Sequence, residues 1–164
     1  MGDKSTSADL IIVGIGNPFR GDDGAGWAVI DGLQKKASGS SIKLVKQRGD
    51  IGDMLEIFEK YRRVYLVDAC SSDELKGSWQ RIDLHQEAIP LESSQTSTHG
   101  FGISQAVALA NNLGLLPEKL VLHLISGSSY SISNTLSPPV EKSVESVIEA
   151  ILSDEEIKSC MNRA

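Results

Sequence analysis

Cysteine is scarce, with only Cys70 and Cys160 in 164 residues, so no disulfide scaffold can be built and a reducing compartment is the expectation. Aromatic residues make up 5% of the chain, which leaves aliphatic side chains and Ala to fill the core. Basic charge is in deficit. Sixteen Lys and Arg stand against 22 Asp and Glu, a net charge of −6, which argues against a surface built to neutralise phosphates. Nucleic acid is therefore not an expected partner. No apolar stretch is long enough to span a bilayer, and the first residues carry no signal-peptide core. Met1-Gly2 with Thr6 fits a myristoylation pattern formally, but no basic cluster accompanies it and the negative charge opposes membrane binding. No membrane association and a cytoplasmic location are expected. The length suits one domain over residues 1–164, with 1–8 and 155–164 as flexible tails.

Strand and helix signals alternate. β-branched runs at Asp9–Gly14, Ile42–Val45, Val64–Val67 and Leu120–Ile125 read as buried strands, and Gly77–Leu84 as a weaker one. Helical spacing covers Asp23–Leu33, Ile51–Tyr61 (with Met54, Leu55 and Phe58 on one face), Gly100–Leu113, and a last helix from Pro138-Pro139 to Asp154. The alternation predicts an α/β fold, a three-layer sandwich with a largely parallel central sheet.

Ligands of such sheets bind beyond the carboxyl ends of the strands. Three chemistry-bearing groups fall there: Asp22-Asp23 after the first strand, Asp68 closing the third, and His99 at the start of a helix. The glycine-rich turn lacks the third small residue of a dinucleotide motif, because Phe19 stands in its place, and no P-loop Lys follows. Of the adjacent carboxylates, Asp22 fits the N-cap of the next helix, with Asp23 on that helix's positive end. Adjacent carboxylates also repel, and a cation would relieve them. The two readings stand level. Asp68, directly after Val64-Tyr65-Leu66-Val67, would be partly desolvated and in need of a partner.

His99 at a helix start, with Thr98 as cap, would be held neutral and able to bind metal. His85 reads as a surface residue and His123 as a satisfied core imidazole. Cys70 could be a nucleophile with His99 as base, yet a nearby Asp68 would raise its pKa, so a small buried hydrophobe fits better. Two carboxylates and an imidazole together suit a divalent ion with vacant positions.

These residues also carry a resemblance. Gly14-Ile15-Gly16-Asn17 with Arg20-Gly21-Asp22-Asp23-Gly24-Ala25-Gly26, Val67-Asp68-Ala69, Ser97-Thr98-His99 and Leu136-Ser137-Pro138 resemble motifs of the nickel–iron hydrogenase maturation endopeptidases. The resemblance implies a phosphorylase/hydrolase-like fold and removal of the C-terminal extension of a hydrogenase large-subunit precursor. It further implies that Asp23, Asp68 and His99 form the metal-binding trio, that Asp23 and Asp68 are the catalytic candidates, and that the metal is nickel carried by the substrate. The segments Gln47–Gly52 and Ser126–Tyr130 depart from the family pattern and bear on substrate recognition. Two other readings compete. A peptidyl-tRNA hydrolase shares the opening strand and Gly-x-Gly-Asn-Pro but has a His where this chain has Asp22-Asp23-Gly24; a non-catalytic chaperone of the large subunit would bind metal without cutting.

Overall fold

A computed structural model describes residues 9–72, 76–90 and 98–163, with side chains left aside for 98–101. Five strands form one sheet: β1 (Leu10–Ile15), β2 (Lys43–Gln47), β3 (Arg63–Ser71), β4 (Trp79–Asp83) and β5 (Lys119–Gly127), in the order β2-β1-β3-β5-β4. All neighbours are parallel except β4, which runs antiparallel to β5 as an edge strand. The helices are α1 (Ala25–Lys36), α2 (Ile51–Lys60), α3 (Thr98–Leu113), α4 (Pro138–Ser153) and α5 (Glu155–Met161). The expected mostly parallel α/β sandwich is present.

Alternation along each strand splits the core in two. Leu10 and Ile12 of β1 with Tyr65, Val67 and Ala69 of β3 face α1, α4 and α5, whereas Ile11, Val13, Val64, Leu66 and Cys70 face α2 and α3. Both faces of β1 and β3 are buried, which explains their unbroken apolar runs. α2 begins with Asp50 accepting from the Asp53 N–H at 3.3 Å and buries Met54, Ile57 and Phe58; Leu55, expected on that face, is only half-buried. Each such fully buried large aliphatic or aromatic side chain contributes roughly 1.5–3 kcal/mol.

Three expectations are corrected. The first helix starts at Ala25 and not at Asp23, because Gly21–Gly24 forms a 3-10 turn. β3 does not stop before Asp68 but continues to Ser71, since β5 offers ladder partners as far as Gly127. Residues 155–161 are not a tail. Asp154 caps them through the Glu156 and Ile157 N–H groups, and Ile157 and Cys160 are buried against the α1 and α4 face. Residues 1–8 lie outside the described residues.

Connections from β1 go to β2 on one side, while the sheet continues to β3 on the other, so the crevice between β1 and β3 is the topological switch point. Close backbone packing closes this crevice from one side. A Cβ on Gly26 would lie 2.5 Å from the Ile15 carbonyl oxygen and 2.6 Å from that of Val67, so only glycine lets α1 start so near both strands. The turn bearing Asp22 and Asp23 is thereby fixed directly over the carboxyl ends of β1 and β3.

Candidate active site

Asp68 sits one residue beyond the last β1–β3 pair, Gly14 with Val67, while still paired opposite Leu124 of β5. It is fully buried and accepts the Ala69 N–H at 2.8 Å. Its parity is that of Leu66 and Cys70, which directs it to the α2 and α3 face. Asp23 is 3% exposed, and its Oδ2 accepts the Asn17 N–H at 3.1 Å. The 3-10 turn carrying it packs against β3. Two buried carboxylates far apart in sequence thus lie near the carboxyl ends of β1 and β3.

His99 lies on the first turn of α3, which packs on the same sheet face as Asp68. Its side chain is outside the described residues. Among the described residues no set of three His, Cys, Asp or Glu side chains is gathered to hold a metal ion. Asp23 and Asp68, hard oxygen donors, suit a divalent cation as two members of a larger ligand set.

Asp22 departs most from expectation. It makes no N-cap bond to α1. Instead its fully buried carboxylate reaches across to the segment after β5: Oδ1 accepts the Ser137 N–H at 2.7 Å, and Oδ2 accepts the Ser128 and Ser129 N–H groups at 2.8 and 3.0 Å. The Ser137 hydroxyl adds a bond at 2.8 Å and that of Ser128 one at 3.3 Å. Ser137 precedes Pro138-Pro139 at the start of α4, so Asp22 places its charge on the positive end of α4 and not of α1. Burial pushes its pKa up, but the bonds from Ser137, Ser128 and Ser129 outweigh burial and hold it below the usual carboxylate range. These bonds occupy Asp22 structurally.

The loop so anchored carries Tyr130, which residue-by-residue reading did not single out. Its hydroxyl oxygen is buried and has no hydrogen-bond partner among the described residues. Burial raises its pKa most, followed by the nearby Cys70, Asp23, Asp68 and Asp22. A Cβ on Gly127 would lie 2.6 Å from this hydroxyl and 2.9 Å from the Asp22 Cβ, so glycine at the end of β5 opens the space that the phenol occupies. The one sequence signal was the departure at Ser126–Tyr130.

The other candidates have separate surroundings, except that Cys70 lies close to Tyr130. Cys70 is a buried thiol 3.9 Å from the Ser126 hydroxyl. His85 is exposed, with Nε2 2.8 Å from the Pro117 carbonyl oxygen. His123 is buried as expected between Tyr65 and Trp79, but its Nδ1 has no hydrogen-bond partner among the described residues, so the imidazole is not fully satisfied. No helix among the described residues is long and apolar enough to cross a membrane.

Comparison with known proteins fits this arrangement. The sequence model of the hydrogenase maturation protease family matches residues 29–154, which includes Asp68 and His99 and begins just after Asp23. The chain is 26% identical to MJ0253 of Methanocaldococcus jannaschii, a candidate hydrogenase maturation protease, over 89% of this chain and 96% of that one. It is 22% identical to the hydrogenase 2 maturation protease of Escherichia coli, with 87% and 88% covered. Among solved structures, the Escherichia coli hydrogenase maturating endopeptidase HybD superimposes with a TM-score of 0.71 at 18% identity, covering 88% of this chain and 90% of that one. The shared fold and the match over most of the sequence place this chain in the hydrogenase maturation protease family, whose members are peptide-bond hydrolases.

Proposed function

We propose that the protein removes the C-terminal extension of a nickel–iron hydrogenase large-subunit precursor once nickel has been inserted, and that Asp23, Asp68 and His99 bind the nickel the precursor carries. The observation that carries this reading is that two buried carboxylates, one on the turn after β1 and one near the carboxyl end of β3, lie at the switch point of the sheet. A cation arriving with the substrate would offset the desolvation of two buried carboxylates.

Nickel in the precursor would supply a positive anchor and Lewis acidity near the scissile carbonyl. The work of the chain's own residues is positional. The Ala69 N–H orients Asp68, the Asn17 N–H orients Asp23, and Asp22 locks the loop that borders them. Either site carboxylate would also accept the proton of an attacking water.

Matched precursors with and without nickel test the reading, each incubated with metal-free protein and followed by a gel shift to the shorter large subunit. Nickel-loaded precursor should be cut, while nickel-free precursor, casein and the isolated extension peptide should not. Asp23→Asn, Asp68→Asn and His99→Ala should each slow cleavage by about 10³-fold or more. Equal cleavage of the nickel-free precursor, or full activity of Asp68→Asn, sinks the proposal.

A further inference from the structure

Two carboxyl groups, Asp23 and Asp68, are buried at the switch point. A carboxylate oxygen is an acceptor, so a peptide carbonyl drawn in beside one gains from a hydrogen-bond donor nearby. One side chain of the adjoining loop can supply it. The Tyr130 hydroxyl lies over Gly127 at the carboxyl end of β5, beside the Asp22 methylene, buried and with its hydrogen uncommitted among the described residues. A buried hydroxyl without a partner costs free energy, so its retention in a loop this firmly tied requires an account.

The loop is tied on both sides of the tyrosine. Asp22 takes the Ser128 and Ser129 N–H groups just before it and the Ser137 N–H after it. Backbone bonds add to this: the Asp22 N–H donates to the Ser129 carbonyl at 2.8 Å, and the Gly21 N–H to that of Ser133 at 2.9 Å. The phenol is therefore held from the same turn that presents Asp23. Such coupling of a donor and the Asp23 carboxyl group to one turn is what a preorganised site needs.

We propose that the Tyr130 hydroxyl donates a hydrogen bond to a peptide carbonyl oxygen of the substrate segment seated at Asp23 and Asp68. The inference rests on the endopeptidase reading above. When water adds to the scissile carbon, negative charge gathers on such an oxygen, and a donor hydrogen-bonded to it gains strength. An ordinary phenol keeps its proton at neutral pH and can serve in that role throughout.

Tyr130→Phe keeps the ring and deletes only the oxygen. Because the hydroxyl bonds to nothing described in the resting protein, the thermal midpoint should stay level or rise. Cleavage of nickel-loaded precursor by Tyr130→Phe should fall about tenfold to hundredfold, in kcat, with KM changed little. A drop in the midpoint of several degrees would assign the hydroxyl a structural role and overturn the proposal, as would wild-type kcat. A wild-type protein that leaves the loaded precursor intact would instead overturn the endopeptidase reading itself. Gly127→Ala gives a second measure, since its Cβ displaces the phenol oxygen. It should slow the wild type more than it slows Tyr130→Phe, and equal effects in both backgrounds would count against the proposal.

Discussion

At the amino end of the sheet charge meets opposite charge in water, while at the carboxyl end Asp22 meets amide hydrogens out of water. Arg62 grips Glu118 with two bonds of 3.0 and 3.1 Å, Arg63 meets Asp9 at 3.0 Å, and Lys119 meets Glu156 at 2.6 Å. All of these side chains are at least a quarter exposed. Solvent and salt screen such pairs, and they hold no loop in place. Asp22 is fully buried in the turn after β1, and its partners lie on two further segments, the loop after β5 and the start of α4. The same residue types thus give tolerance at one end and a rigid frame for a site at the other.

Breaking the Asp22 frame should have the largest effect on stability. Asp22→Ala leaves three N–H groups and two hydroxyls without their acceptor, a loss of about 3–4 kcal/mol. For a domain of this size that is roughly a 6–16 °C fall in thermal midpoint. Asp22→Asn should recover only part, because its amide nitrogen must face at least one N–H donor. A scan in which Asp22→Ala melts within a degree of the wild type would show that the loop is held by other contacts, and the contrast between the two ends would collapse.

Between the two ends lies His123, in the middle of β5. Burial depresses its pKa to about 4, helped by Arg81 of β4 and opposed by Asp154 and the Leu66 backbone. With an unfolded value near 6.5, the unfolded chain binds a proton that the folded one refuses between those limits. Stability is therefore full above about pH 6.5 and declines as pH falls towards 4, by about 3 kcal/mol from this residue. Asp22 acts in the same direction but lower. Its folded pKa is depressed, so its contribution is present above the unfolded value of 3.8 and is lost as pH falls through the folded one. Urea unfolding at intervals from pH 7 to 4 measures the slope. His123→Leu should flatten it, and an unaltered slope in that variant would remove His123 as the cause.

The sequence carried the sheet because its strands are buried on both faces and its helices punctuate them regularly. The placement of Asp23 and Asp68 near the carboxyl ends of β1 and β3 was legible for a local reason, since one lies in the turn after β1 and the other directly after the apolar run of β3. Asp22 was misread because its neighbours in sequence offered a helix start at short range. Its actual partners, Ser128, Ser129 and Ser137, lie more than a hundred residues away, and no local pattern encodes that reach. Tyr130 was invisible for the same reason, as its meaning depends on Asp22 fixing the loop. The length of β3 was missed because Asp68 and Ser71 look like loop residues until β5 supplies a ladder beside them.

The smallest effect belongs to the amino end and sharpens the comparison. Glu118→Ala removes both bonds to Arg62, a two-pronged ion pair. Arg62 is fully exposed, and its raised pKa, owed first to the hydrogen bond with Glu118 and then to the charge attraction, reports the pairing and not a buried cost. Once Glu118 is gone, water replaces it, with Asp9 still 3.9 Å from the guanidinium. The thermal midpoint should move by no more than about 2 °C at low salt, and the difference should vanish as salt approaches 1 M, where the screening length is about 3 Å. Processing of the precursor should be unchanged. A fall as large as that of Asp22→Ala, persisting in high salt, would mean that charge at the two ends of the sheet is used alike.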